Sequence, residues 1–328
     1  MDIERRTFLG SGMALIAGAA SAQSAPGPFA GDPSAPFWPP KESFPLWPRQ
    51  PPGAPQRRIQ PNWTMNNAPP NRELWIRAVP MPEVHVFRAA KPDGSALLVL
   101  PGGGYEFLSV QNEGIDAAER FNADRVTVFV LTYRLPVEGW ADRSLVALQD
   151  AQRAMRLIRA RAGDFRIDPR RLGVLGFSAG GHLAADLAVS HDMRTYAPID
   201  AADTLSARPA FLGLVYPVIS LEPQTTLGSS ASNLVGEKPP AELVLARSPS
   251  LHVTAASPPS FVVAAFDDGL VLIPNSLEWI DACRRARTSV EAHLLAEGGH
   301  GFGFHLPPAN PGSRWPDLFM LWTRKHGG

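Results

Sequence analysis

The sequence predicts an α/β fold with a mostly parallel central sheet flanked by helices. After Arg72, short apolar runs rich in β-branched residues alternate with helical patterns, as in parallel strands joined by crossover helices. Several of these runs are continuously apolar, which is typical of strands covered on both faces. With 328 residues, 45% of them hydrophobic, the chain is long enough for one large domain of this class.

The apolar runs predict seven strands. They are Val84 to Arg88, Ala96 to Leu100, Val126 to Leu131, Leu172 to Phe177, Phe211 to Tyr216, Ser260 to Phe266 and Val290 to Leu295. Between the third and fourth strands, apolar residues recur at steps of three and four from Leu145 to Ile158, which predicts a helix with one buried face. Four arginines of this helix are expected on its solvated face: Arg153, Arg156, Arg159 and Arg161.

The first 25 residues are typical of a twin-arginine export signal. Arg5 and Arg6 precede a weakly hydrophobic segment from Phe8 to Ala20, and Ala20-Ser21-Ala22 supplies a small-residue cleavage pattern. At about a dozen residues the apolar segment is too short for a bilayer, which needs about 20. We therefore expect the twin-arginine export machinery as a partner, no stable membrane insertion, and a periplasmic or secreted location.

Residues 26–70 are predicted to form a proline-rich extended arm, and residues 71–328 the catalytic domain. Eleven of the thirty residues from Pro26 to Pro55 are proline, a composition that excludes a helix or a central strand. Such a stretch is either a solvated spacer or an arm that docks on the domain. Four large aromatic residues favour docking, because a spacer has no use for them: Phe37, Trp38, Phe44 and Trp47.

Composition excludes several classes of function. Lysine plus arginine equals aspartate plus glutamate, 31 against 31, so the chain lacks the basic excess of a nucleic-acid-binding protein. Cys283 is the single cysteine, which rules out an intrachain disulfide and a multi-cysteine metal site, and we expect it to be buried and inert. No spacing of His, Asp and Glu resembles a metal site, and we expect no cofactor.

A nucleophile elbow is predicted at Gly176-Phe177-Ser178-Ala179-Gly180. This G-x-S-x-G pattern follows an apolar strand and precedes a helix-compatible run, and that context gives it weight. The sharp turn would present the hydroxyl of Ser178 at the carboxyl edge of the sheet. Ser178 is therefore the candidate nucleophile.

A serine hydroxyl needs a base that is oriented by a carboxylate. After an elbow of this type, the acid comes before the histidine along the chain. Asp267 and Asp268 follow a predicted strand directly, and sequence position alone leaves both open as the acid. His300 follows the next strand within a glycine-rich turn and is the candidate base, with His305 as its competitor. His182 lies on the elbow helix and is expected to be a packed structural residue.

A glycine loop supplies candidate donors for a developing oxyanion. Pro101-Gly102-Gly103-Gly104-Tyr105 directly follows the strand that ends at Leu100, where lipases and esterases carry their HGGG-type motif. The backbone amides of Gly103, Gly104 and Ala179 would form the oxyanion hole.

These motifs and several others together carry a family resemblance. In chain order they are Phe44 to Pro48, Leu100 to Tyr105, Glu113-Gly114, Tyr133 to Leu135, Asp150 to Ala154, Gly176 to Leu183 and Gly298 to Gly303. From about residue 44 to the end, the sequence resembles the acetyl-esterase branch of the α/β-hydrolases. This is the BD-FAE-like group of bacterial acetylxylan and feruloyl esterase-like proteins, often mislabelled as xylanases. The resemblance implies an α/β-hydrolase fold.

The resemblance also bears on the acid. The family's acid turn usually reads Asp-Asp-Pro-x-Val with the second aspartate catalytic, which maps onto Asp268, whereas Gly269 stands here in place of the proline. The segment from Ser232 through Pro249 resembles the loop that borders the acyl pocket in the family.

The main hypothesis from the sequence is a serine carboxylesterase acting through an acyl-enzyme. The resemblance implies a short acyl group, acetyl on a carbohydrate, and hence a small-molecule or carbohydrate ester as substrate. One alternative is a peptidase of the prolyl-peptidase type, whose relatives generally carry an additional domain that this chain has no room for. The other is an inactive hydrolase-fold binding protein, suggested by Gly269 in the acid turn.

Overall fold

The computed structural model of the protein describes residues 36–66, 73–222 and 225–328. These residues form a central sheet of eight strands. In order across the sheet they are β1 (Ser43–Pro45), β4 (Glu83–Phe87), β7 (Thr127–Thr132), β5 (Ala96–Leu100), β8 (Leu172–Phe177), β9 (Leu212–Val215), β10 (Ser260–Ala265) and β11 (Val290–Leu295). All neighbouring pairs from β7 to β11 are parallel, and β4 pairs antiparallel with both β1 and β7.

The seven strands predicted from the sequence are confirmed, each to within one residue at either end. In β5, β7, β8 and β10 every residue is buried. These strands lie in the interior of the sheet with helices on its faces, which explains why their sequences are continuously apolar.

A second, antiparallel sheet was not predicted. Its strands are β2 (Asn62–Asn66), β3 (Glu73–Arg77) and β6 (Leu108–Ser109). In β3 the side chains alternate: Leu74 and Ile76 are buried, and the three residues on the other face are partly exposed. β2 belongs to the predicted arm and β3 to the predicted catalytic domain, so the two segments share a sheet.

Helices cover the central sheet. They are α1 (Asp116–Ala123), α2 (Val146–Ala160), α3 (Ala162–Phe165), α4 (Ser178–Val189), α5 (Ser230–Val235), α6 (Ala241–Ala246), α7 (Pro274–Ala286) and α8 (Trp315–Thr323). The long helix predicted from the apolar spacing is α2, and its predicted buried face, including Met155 and Ile158, is in the core. Cys283 of α7 is buried as expected, and burial raises the pKa of its thiol to about 11.

The described part of the proline-rich arm docks on the domain, as its aromatic residues predicted. Trp38, Phe44 and Trp47 are buried, whereas Phe37 is 69% exposed. The indole Nε1 of Trp47 donates to Oδ1 of Asp150 at 2.8 Å, and the same carboxylate accepts from the backbone and guanidinium of the fully buried Arg134. A buried ion pair of this kind needs its remaining acceptor positions filled, and the arm supplies one donor.

The prediction that Arg153 is solvated was wrong. Its side chain is buried, its Nε donates to the backbone oxygen of Leu46 at 3.1 Å, and its guanidinium pairs with Asp200 and Asp203. The arm and the turn that carries Asp200 and Asp203 both lie over this part of α2, so the position is interior.

The predicted export signal at residues 1–25 lies outside the described residues and stays a prediction. Within the described ranges, none of the helices has the length and apolar character needed to cross a membrane.

The docked arm should contribute measurably to stability. Trp47→Ala removes a fully buried indole and leaves Asp150 without one donor, so we expect the free energy of unfolding to fall by about 3–5 kcal/mol. Phe37→Ala, a change at an exposed aromatic of the same arm, should change it by less than about 0.5 kcal/mol. Urea denaturation of both variants measures these values. A loss for Trp47→Ala as small as that for Phe37→Ala would show that the arm is a spacer.

Candidate active site

Ser178 lies at the turn between β8 and α4 in a left-handed backbone conformation with φ of +51°. Residues other than glycine rarely adopt this conformation, and it recurs at strained functional positions. The neighbouring glycines allow the turn because the backbones touch: a Cβ on Gly176 would come within 2.2 Å of the oxygen of Gly180. A Cβ on Gly180 would come within 2.1 Å of the oxygen of Leu100, at the end of β5.

Three polar side chains from different strand ends meet at this turn. Oγ of Ser178 lies 2.9 Å from Nε2 of His300, and Nδ1 of His300 lies 2.7 Å from Oδ2 of Asp268. The Asp268 side chain is almost fully buried, and the His300 side chain is 18% exposed. The contacts form one chain from a hydroxyl through an imidazole to a buried carboxylate, the arrangement required for base-assisted attack by serine.

The two adjacent aspartates have different partners. Oδ1 of Asp268 accepts from the backbone amides of Leu270 and Val271, both at 2.9 Å, so the carboxylate closes its own turn. With Gly269 in place of the family's proline, Asp268 is still hydrogen-bonded to His300. Oδ1 of Asp267 accepts instead from the backbone amides of Gly298 and Gly299, both at 2.8 Å. Asp267 thus fixes the loop that carries the histidine without contacting the ring.

The other histidines singled out in the sequence lie elsewhere. His305 is paired with Asp116 at 2.7 Å, and its side chain is 65% exposed. His182 is fully buried, with Nδ1 at 2.7 Å from the hydroxyl of Tyr105 and Nε2 at 2.8 Å from the oxygen of Arg247. It is a packed structural residue, as predicted.

The glycine loop runs beside Ser178. Gly103 has φ of +122°, and a Cβ there would overlap the oxygen of Phe107 at 2.1 Å, so the tight turn requires glycine. Within the part of the chain that the structure describes, neither the amide of Gly103 nor that of Gly104 has a hydrogen-bond partner. Ala179 lies in the first turn of α4, where amides have no partner within the helix. These amides are therefore candidate donors for an anion formed at Ser178.

Glu113 is a buried acid that the motif analysis did not assign to the site. It lies in a π-helical turn, Gln111–Ile115, and such turns recur at functional sites. Its Oε2 accepts from the amide of Gly102 at 2.5 Å, and its Oε1 accepts from the hydroxyl of Tyr216 at 2.8 Å. The same hydroxyl accepts from the amide of Gly303 at 3.2 Å, and the Tyr216 ring packs on His300. Glu113 therefore links the glycine loop to the histidine loop.

Burial raises the pKa of Glu113 to about 8. Its hydrogen bonds from Gly102 and Tyr216 oppose the shift, and the nearby carboxylate of Glu73 adds to it. Tyr216 and Tyr133 also face it, and burial raises the pKa of both phenols above the usual range. Glu113 is therefore largely a neutral acid at pH 7, next to the loop where negative charge would develop.

A cavity of about 390 Å³ opens in front of Ser178 and His300. Part of its lining comes from the second sheet and the glycine loop, including Trp75 and Phe107. Another part is made of small and aliphatic residues: Thr226, Gly228, Ser229, Ser230, Leu270 and Val271. The candidate nucleophile thus faces a space large enough for a small organic ligand.

The sequence matches the family model BD-FAE over residues 88–281, more than half of the chain. The chain belongs to the BD-FAE family. This confirms the resemblance noted from the motifs.

The BD-FAE chain is similar to an acetylxylan esterase of Xylanibacter ruminicola, with 32% identity over 222 residues, or 66% of this chain and 43% of the relative. The chain spans less than half the length of the curated relatives it matches.

Solved structures with the same fold cover most of this BD-FAE chain. An acetyl ester-xyloside bifunctional hydrolase from Caldicellulosiruptor lactoaceticus has a TM-score of 0.70 and 30% identity over 87% of this chain and 96% of its own. The carboxylesterase Cest-2923 from Lactobacillus plantarum has a TM-score of 0.62 and 26% identity over 82% and 98%. These likenesses confirm the α/β-hydrolase fold.

The different partners of the two aspartates predict different losses in this BD-FAE protein. Asp268→Asn should lower kcat for p-nitrophenyl acetate by about 10⁴-fold, because the imidazole loses the carboxylate that orients it. Asp267→Asn should have a small effect, since an amide oxygen still accepts from the two glycine amides. Steady-state kinetics of the pair decides the matter, and a larger loss in Asp267→Asn would reverse the assignment.

Glu113 predicts a pH effect. Because its pKa rises from 4.5 to about 8 on folding, the stability it contributes is full below pH 4.5 and is lost as pH rises through about 8. Its ionisation also places negative charge beside the glycine loop, so kcat should fall over the same range. Glu113→Gln, uncharged at every pH, should retain activity and lack this fall.

The control is Glu113→Ala, which leaves the amide of Gly102 without its acceptor and should lower kcat at every pH. Rate profiles from pH 6 to 10 measure all three proteins. If kcat falls in the same way above pH 8 in the wild type and in Glu113→Gln, the charge of Glu113 is not the cause of the fall.

Proposed function

We propose that the protein is a serine carboxylesterase that hydrolyses short acyl esters, with acetyl esters of carbohydrates as its substrate class. The reaction class is that of a carboxylic ester hydrolase. The observation that carries the proposal is the continuous contact from Ser178 through His300 to Asp268 at 2.9 and 2.7 Å, beside a loop of free amides. The acetylxylan esterase and acetyl ester hydrolase among the relatives support the substrate class.

In the first half of the proposed reaction, Oγ of Ser178 attacks the ester carbonyl carbon while Nε2 of His300 accepts the hydroxyl proton. Asp268 holds the imidazole in position and stabilises its positive charge. The amides of Gly103, Gly104 and Ala179 bind the oxyanion of the tetrahedral intermediate. His300 then gives its proton to the alcohol oxygen, the carbon-oxygen bond breaks, and the acyl group stays on Ser178.

In the second half, His300 takes a proton from a water molecule that attacks the acyl-enzyme. The second tetrahedral intermediate collapses, the carboxylic acid leaves, and the proton returns to Oγ of Ser178. The small residues lining one part of the cavity support a short acyl group.

The alternatives are less well supported. Gly269, which suggested an inactive binding protein, accompanies an acid turn closed by two hydrogen bonds to Asp268. The relatives reported above are named as ester hydrolases and not as peptidases.

Ser178→Ala tests the proposal directly. We expect turnover of p-nitrophenyl acetate to fall by about 10⁴-fold or more, because no other hydroxyl lies at Nε2 of His300 among the described contacts. A fluorophosphonate probe should label the wild type and not this variant. His305→Ala is the matched control and should retain activity. Turnover retained by Ser178→Ala, or an unlabelled wild type, would refute the esterase.

A further inference from the structure

The cavity lining contains a pair of stacked aromatic rings that the proposed reaction does not use. Trp75 and Phe107 have ring centroids 3.8 Å apart and planes inclined by 14°. Trp75 is in the middle of β3, and Phe107 follows the glycine loop by three residues. The pair therefore joins the second sheet to the loop proposed to bind the oxyanion.

The side-chain alternation of β3 accounts for the position of the pair. Leu74 and Ile76 point into the core, so Glu73, Trp75 and Arg77 share the opposite, partly exposed face. Both Trp75 and Phe107 remain partly exposed in the cavity, and Nε1 of Trp75 is a buried donor that has no hydrogen-bond partner among the residues that the structure describes. Aromatic residues left in this state beside a reactive group are typical of a binding surface rather than of a core.

Charged groups surround the pair and hold it in place. The guanidinium carbon of Arg77 lies 5.4 Å from the Trp75 centroid and 5.0 Å from the Phe107 centroid, and Arg77 is paired with Glu106 at 2.7 Å. The carboxylate of Glu73 accepts from the hydroxyl of Ser109. Glu73 and Glu106 both line the cavity, and a carboxylate has about four acceptor positions, so each can accept from a ligand as well.

The two parts of the cavity suit different halves of an ester. With the carbonyl oxygen at the glycine loop, the acyl and alcohol groups extend in different directions. The part next to Gly104 is lined by Ser229 and Ser230, and a Cβ on Gly104 would be in ordinary van der Waals contact with both hydroxyls, at 3.7 and 3.8 Å, so a methyl-sized group fits there. The part formed by Trp75 and Phe107 offers flat apolar rings flanked by carboxylate acceptors.

We propose that Trp75 and Phe107 form the subsite for the alcohol half of the ester and bind a pyranose ring. The apolar C–H face of a sugar packs on aromatic rings, and its hydroxyls donate to Glu73 and Glu106. An aromatic acyl group such as feruloyl would also use the rings, but it carries a single phenolic hydroxyl, whereas a pyranose presents several donors to the two carboxylates. The inference rests on the proposed esterase and adds the residues that select its alcohol.

The test compares two acetyl esters that differ only in the alcohol, acetylated xylotriose and ethyl acetate, with acetate release as the common assay. Trp75→Ala and Phe107→Ala should each lower kcat/KM for the sugar ester by about tenfold or more, mainly through KM. Both should leave kcat/KM for ethyl acetate within about twofold, which also shows that the variants fold. Trp75→Phe should retain most of the activity on the sugar ester. Phe37→Ala, a change at an exposed aromatic that does not line the cavity, should leave kcat/KM unchanged for both esters.

Methyl ferulate is assayed as a third ester. Three outcomes would overturn the subsite: equal losses on both acetyl esters, no loss on either, or a loss confined to methyl ferulate, which would assign the rings to an aromatic acyl group. A binding measurement separates this inference from the proposed function. Calorimetric titration of xylotriose into Ser178→Ala and into Ser178→Ala with Trp75→Ala should detect binding to the first only. If the wild type hydrolyses neither ester, the esterase fails, whereas loss of xylotriose binding with Trp75 would still support a sugar subsite.

Discussion

The close backbone contact between β5, β8 and α4 is the constraint on which the site depends. Gly176 and Gly180 have no side chain, so α4 starts against its own strand and against the oxygen of Leu100 at the end of β5. The same contact fixes Ser178 in its left-handed conformation and places the start of the glycine loop beside it. The main chain alone therefore places the candidate nucleophile and the candidate oxyanion donors next to each other.

The candidate base, by contrast, is held in place by side chains. His300 lies in a loop without regular structure, in which Gly299, Gly301 and Gly303 all have positive φ. Four side chains hydrogen-bond to the backbone of that loop: the Asp267 carboxylate to Gly298 and Gly299, the Asn112 amide to the oxygen of Gly301, and the Tyr216 hydroxyl and the Trp315 indole to Gly303. The positive φ values of the glycines let the loop turn so that the His300 ring reaches Ser178. The hydrogen bonds then hold the loop in this one conformation, although glycine-rich chains are otherwise flexible.

The sequence predicted the sheet and the order of Ser178, acid and His300, because strand ends and glycine turns are local patterns. It could not separate Asp267 from Asp268, since adjacent residues after a strand point in different directions and only the fold shows which one meets the ring. Glu113 was missed as a site residue because its burial and its partner Tyr216 come from segments distant in sequence. The error at Arg153 has the same cause: the helix was predicted correctly, but the arm and the turn at Asp200 and Asp203 that cover this position are distant in sequence. The alternation of apolar and polar residues in β3 is a local pattern that could have predicted this strand.

The docked arm also determines how the central sheet ends. β1 pairs antiparallel with β4, from Ser43 opposite His85 to Pro45 opposite Glu83. Without β1, the hydrogen-bonding groups along one side of β4 would form an open edge, a known template for pairing with another chain. Pro45 lacks an amide hydrogen, so the strand that covers this edge is itself a poor template. A chain shortened past β1 would therefore expose the edge of β4 to pairing with other chains, in addition to losing the stability that the arm contributes.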